Sequence, residues 1–119
     1  MLLFNPVYDN APGEWGNKRV GDRYAVYSPA HNLTEDDPPS IVFLGSDDKL
    51  IPVKTAERFR DASLAVKVES ELHIYEGEGH GFFNPGRGKT NAYPKTIIAA
   101  DRFLKKLGWL DGEPTMEAP

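Results

Sequence analysis

The stretch Pro39-Ser40-Ile41-Val42-Phe43-Leu44-Gly45-Ser46-Asp47-Asp48-Lys49-Leu50-Ile51-Pro52 decides the fold. Ser40 to Leu44 is β-prone and apolar without alternation, the pattern of a strand buried on both faces in a parallel sheet. It closes at Gly45-Ser46-Asp47-Asp48, a turn sequence. After Pro52, expected to open the next element as a first-turn residue, Val53, Ala56 and Phe59 recur at helical spacing. That spacing predicts a helix to about Val66, and Glu71 to Tyr75 reads as the next strand.

Upstream, Leu2-Leu3-Phe4 is apolar and stops at Asn5-Pro6, as the last residues of a buried strand would. Asp9 to Gly21 is rich in Gly, Pro, Asn and charge and reads as a loop. Tyr24 to Leu33 is expected to hold one helical turn broken at Ser28-Pro29, and Glu35-Asp36-Asp37-Pro38-Pro39 is an acidic connector leading into extended chain. Downstream, Gly77 to Gly88 is a glycine-rich loop. Tyr93, Ile97, Ala100, Leu104 and Leu107, widened by Phe103, then mark the clearest amphipathic helix in the chain. Asn91 is its expected N-cap and Gly108 its stop, with residues 111–119 an unstructured tail. The order strand, strand, helix, strand, helix predicts an α/β fold with parallel pairing.

The length of 119 residues allows one small domain. A net charge of −4 offers no basic footprint for nucleic acid, and no apolar run is long enough to span a bilayer. Without cysteine there is no disulfide, thiolate nucleophile or thiolate zinc site. The residues after Met1 carry no visible signal-peptide pattern.

In parallel α/β sheets reactive groups gather at the carboxyl ends of the strands. Two loops leave strands there. One carries Asp47 and Asp48; the other, Gly77-Glu78-Gly79-His80-Gly81-Phe82-Phe83, carries His80. Either aspartate alone is more often a turn or capping residue than a catalyst. An Asp and a His on consecutive strand ends can instead form an orienter and a base, the carboxylate binding Nδ1–H and fixing the tautomer. Glycines on both sides of His80 are expected to let the backbone turn the ring toward its partner.

These two segments resemble the seventh strand with its acid loop and the eighth strand with its histidine loop of α/β-hydrolase serine esterases. The Gly79-His80-Gly81-Phe82 segment is similar to the acetyl-esterase and dienelactone-hydrolase-like branches. The resemblance runs from residue 1 to about residue 110. It implies the C-terminal part of that fold: about three parallel strands, from the end of strand six to strand eight, with two long helices. It also implies that Asp48 is the catalytic acid and His80 the general base of a Ser-Asp-His triad hydrolysing short-acyl esters. Asp47 is the rival acid, but only Asp48 stands four residues before Pro52 as the pattern requires. Ser63, where a large apolar residue is usual, and the lack of a glycine before Glu71 depart from the pattern. So does the nucleophile. None of Ser28, Ser40, Ser46, Ser63 or Ser70 lies in a Gly-x-Ser-x-Gly elbow, and no His-Gly-Gly oxyanion loop occurs. The chain alone is therefore expected to be inactive, with no cofactor or metal.

Gly86-Arg87-Gly88-Lys89-Thr90 suggests a phosphate loop, but Phe83 stands where its first glycine belongs. His31, His73 and His80 lack metal-ligand spacing, and Asn32-Leu33-Thr34 is a glycosylation triplet of a kind common by chance. Trp15 and Tyr24 could line a substrate entrance or cover an edge. Two helices are not expected to cover both faces of a three-stranded sheet, and Leu2 to Phe4 would leave an apolar edge open. The expected partners are thus an ester substrate in the intact enzyme and a cover for that edge: a second copy of the chain or a missing N-terminal half. A non-catalytic, self-associating α/β module is the alternative reading.

Overall fold

The computed structural model describes all 119 residues. Three strands, β1 (Leu2–Phe4), β2 (Ser40–Gly45) and β3 (Ser70–Tyr75), form one parallel sheet in the order β1-β2-β3. Leu2 pairs with Ile41 and Phe4 with Phe43; Ser40 pairs with Ser70 and Gly45 with Tyr75. Between β1 and β2 lie the short helices α1 (Asn17–Val20) and α2 (Tyr24–Tyr27) and two 3-10 turns, Gly21–Arg23 and Pro29–His31. Helix α3 (Val53–Ala65) links β2 to β3, and α4 (Ala92–Lys106) follows β3. No helix is long and apolar enough to cross a membrane.

All six residues of β2 are buried, and the reason lies in how its side chains divide. Val42 and Leu44 join Tyr8, Ile51, Ala56 and Phe59 in a cluster under α3. Ile41 and Phe43 join Phe82, Ala92, Ala100 and Phe103 in a second cluster under α4. Each face of the central strand meets an apolar helix, so apolar residues stand at successive positions without alternation.

The expected shortfall in cover by two helices does not fall on the central strand. One helix per face suffices at β2 because the sheet is only three strands wide. The shortfall falls on the flanks, where β1 and β3 are largely half-buried. Nor is β1 a buried strand, since Leu2 is exposed and nothing within the chain pairs with its outer edge.

The segment expected as a loop from Asp9 to Gly21 contains α1. Neither α1 nor α2 buries a residue, so no apolar periodicity could betray them. Pro52 is the N-cap of α3 rather than its first turn, with an extended ψ of 143°. Asn91 stands at the N-cap of α4 but at φ 50°, ψ 50°, and its side chain makes no capping bond. Ser63 is buried, and its hydroxyl donates to the carbonyl of Phe59 one turn earlier (2.8 Å), so α3 accepts a small polar residue there without an orphaned group.

Candidate active site

The loops after β2 and β3 interlock. Asp47 N–H donates to the carbonyl of Glu78 (2.8 Å), Ser46 N–H to that of Tyr75 (3.0 Å), and Gly77 N–H to Ser46 Oγ (2.8 Å). Gly45 is what lets the loops close. A Cβ there would sit 2.1 Å from the Glu78 carbonyl oxygen.

Asp48 is held from every side. Its Oδ1 accepts the amides of Leu50 (2.8 Å) and Ile51 (3.1 Å), a turn contact that the residue types of the loop make locally. Its Oδ2 accepts the Asn5 side-chain amide (2.7 Å) and faces Nδ1 of His80 at 3.0 Å. Burial pushes the carboxyl pKa up. The Leu50 and Ile51 amides, then His80, outweigh this and hold it below its ordinary value of 3.8. An ionised carboxylate only accepts, so Nδ1 carries the proton of the His80 contact. The Asp48 side chain is 0% exposed while that of His80 is 46% exposed, and Nε2 has no hydrogen-bond partner within the chain. A buried, ionised carboxylate thus backs a half-exposed imidazole whose Nε2 is unpartnered within the chain.

Asp47 does not meet His80. Its side chain is 52% exposed and lies 3.6 Å from Lys89 Nζ. Of the two glycines beside His80, only Gly81 takes a left-handed conformation, at φ 81°, so the expected turning of the backbone falls on one side. A cavity of about 370 Å³ opens at His80, with Gly81, Phe82, Arg87 and Lys89 among its walls. The largest cavity, about 600 Å³, lies instead between β3 and α4, lined by Glu71, His73, Tyr75 and Arg102 among others.

Against this geometry, residues 1–107 match the model of the prolyl oligopeptidase family. The chain belongs to this family. Among solved structures it is similar to esterase 2 of Thermogutta terrifontis phosphorylated by paraoxon, at 38% identity and a TM-score of 0.82, covering 94% of this chain and 41% of that one. The butyrate-bound form of the same esterase matches at 34% identity and a TM-score of 0.83, covering 95% of this chain and 45% of that one. A protein of Salmonella typhimurium provisionally named a carboxymethylenebutenolidase is 31% identical over 84 residues, 66% of this chain and 31% of its own length. This member of the prolyl oligopeptidase family therefore spans less than half of the relatives it matches. Its three-stranded sheet and helices are a partial α/β-hydrolase fold.

None of the serines of this prolyl oligopeptidase-family chain meets His80. Ser46 is engaged by Gly77, Ser40 by Ser70, Ser63 by Phe59, and Ser28 by Asn10 and Tyr24. His31 pairs with Asp9 and His73 with Glu71, and no group of three metal-ligating side chains assembles. Trp15 is covered by the Arg19 guanidinium and Tyr24 meets the edge of His31, contacts that stay within the β1–β2 connection.

Two residues escaped the sequence reading. Asn5 reaches Asp48 from the end of β1, and its only local signal, Asn before Pro, reads as a strand stop. Glu78 carries a charge yet is 1% exposed. It accepts the amide of Lys89 (2.8 Å to Oε1) and both the amide (2.6 Å) and hydroxyl (2.7 Å) of Thr90. The stretch that suggested a phosphate loop thus spends these amides on an internal carboxylate.

Burial pushes the Glu78 pKa up, but Thr90 and Lys89 overcome that and hold it below its ordinary value of 4.5. A depressed folded pKa contributes stability that is present above the unfolded value and fades as pH falls through the folded one. Glu78→Gln should therefore lose about 1–3 kcal/mol at neutral pH, since its amide turns a donor toward donors. The loss should shrink when urea melts are repeated below pH 4.5. A penalty constant with pH would show that the charge is not what Lys89 and Thr90 hold.

Proposed function

We propose that this chain supplies the acid, Asp48, and the general base, His80, of a Ser-His-Asp carboxylic-ester hydrolase whose nucleophile comes from polypeptide outside these 119 residues. The observation that carries this reading is the 3.0 Å contact from a buried carboxylate to Nδ1, with Nε2 left unpartnered at the surface. His80 Nε2 takes the proton of a serine hydroxyl as Oγ attacks the ester carbonyl. It then gives that proton to the departing alkoxide. Water, deprotonated by the same nitrogen, attacks the acyl-enzyme carbonyl, and the nitrogen returns that proton to serine Oγ as the acid leaves. Asp48 stays ionised throughout and stabilises the imidazolium.

Short-acyl esters are the proposed substrates. The propionate- and butyrate-bound forms of the Thermogutta terrifontis esterase, at 35% and 34% identity, support that choice. The test joins the chain in frame to the part of that esterase outside the matched segment and measures hydrolysis of p-nitrophenyl butyrate. The 119-residue chain alone is expected to be inactive and the joined protein active. Turnover by the chain alone, lost in His80→Ala, would overturn the external nucleophile.

A second reading, a self-associating module, is favoured by one observation. The unpaired edge of β1 borders an apolar groove of about 580 Å³ lined by Met1, Leu2, Pro39, Leu104 and Trp109 among others. An open edge beside apolar surface is a template for pairing. At tens of micromolar, light scattering should report a mass above 13.2 kDa that Leu2→Lys lowers. A monomer at all concentrations would remove this reading.

A further inference from the structure

We propose that Asn5 is a positioning residue: from the end of β1, its side-chain amide aligns the acid loop with the histidine loop. The amide works at both ends. Nδ2 donates to Oδ2 of Asp48 (2.7 Å), the same oxygen that meets His80 Nδ1, while Oδ1 accepts the N–H of Gly81 (3.3 Å), next to His80 in the chain. The side chain is buried, and its own backbone N–H donates to the Phe43 carbonyl (3.0 Å), so it is anchored to β2 as well.

The backbone here runs against local preference. Asn5 sits at φ 45°, which disfavours most residues with a Cβ, and it precedes Pro6, which disfavours helical conformations before it. Asparagine tolerates the left-handed region better than most. A turn alone would be met better by glycine. What glycine lacks is the amide between the two loops.

Two of the four bonds to Asp48, from Leu50 and Ile51, fix Oδ1 and are local to its own loop. The direction of Oδ2 is set by Asn5, and the height of the His80 loop by the Gly81 contact. Removing the amide leaves the carboxylate in place but frees the imidazole to drift. His80 is the titratable group that faces Asp48 in this arrangement.

The catalytic meaning of Asn5 rests on reading Asp48 and His80 as acid and base. The contact itself is read without turnover, by NMR on the full 119-residue chain. In the parent, the His80 Nδ1–H proton should be downfield and slow to exchange. Asn5→Gly relieves the backbone and deletes the amide. It should speed that exchange about tenfold or more, and the Asp48 carboxyl should titrate at higher pH than in the parent, while circular dichroism keeps its shape.

Asn5→Asp is the companion variant. It keeps an acceptor for Gly81 but sets a second carboxylate against Asp48, and should raise the Asp48 titration further. If Asn5→Gly does not fold, Asn5→Asp decides. Unchanged exchange and titration in the folded variants would overturn the proposal and leave the Asp48–His80 reading standing. A parent chain without a protected Nδ1–H would overturn both.

Discussion

His80→Ala should abolish ester hydrolysis in a polypeptide that joins these residues to a serine elbow, lowering kcat by about ten-thousand-fold or more. In the proposed triad the imidazole takes the serine proton. Asp48 is buried and already bonded to four donors, and no other histidine approaches it. Asp48→Asn should cost nearly as much. An amide at that place can present its NH2 to Nδ1, which turns the imidazole to the wrong tautomer while the fold stays intact. Asp47→Asn serves as the control and should change little, because that side chain points its charge at Lys89 in solvent. Steady-state hydrolysis of p-nitrophenyl butyrate reads all three. Activity of His80→Ala within tenfold of the parent would remove His80 from the mechanism.

Gly45→Ala should be the most destabilising small substitution in the chain, costing about 3 kcal/mol or more. The argument is steric rather than conformational, since φ at Gly45 is not positive. An added Cβ would lie 2.1 Å from the carbonyl oxygen of Glu78, 2.5 Å from its carbonyl carbon and 3.0 Å from the oxygen of Gly79. All three are backbone atoms, so no side chain can swing aside. Relief requires the loop carrying His80 to move off β2, breaking the Asp47–Glu78 bond on the way. Gly79→Ala, on the facing side of that same collision, adds a Cβ that meets nothing within 4 Å and should stay within about 0.5 kcal/mol of the parent. Urea melts followed by circular dichroism compare the two. Equal stabilities would show that the two strand ends are not packed on each other.

Much of this site is legible in residues that act through their neighbours in sequence. Turn motifs leaving consecutive strands, with parallel pairing, predict that an aspartate of the first loop meets His80. The resemblance implies Asp48 rather than Asp47 as the partner of His80, by its place four residues before Pro52, and it is Asp48 that contacts the imidazole. In the structure, the amides of Leu50 and Ile51 bind Asp48 within that same span. Glu78 was not legible, because a glutamate between glycines looks solvated. Its partners, Lys89 and Thr90, become neighbours only when the loop folds back.

The amino-acid sequence by itself determined β2, α3 and α4, since apolar runs and helical periods record how many faces of an element are buried. It determined the parallel order of the sheet through the alternation of elements, and the two loops through their turn residues. Tertiary structure alone decided which side of β2 each cluster fills, how little of β1 is covered, and that helical turns without buried residues form between β1 and β2. It also decided the place of Asn5, which lies 43 residues from Asp48 and 76 from Gly81. No local pattern encodes bonds across such separations, because they exist only once β1 is laid beside β2 and the ends of all three strands are brought to one edge.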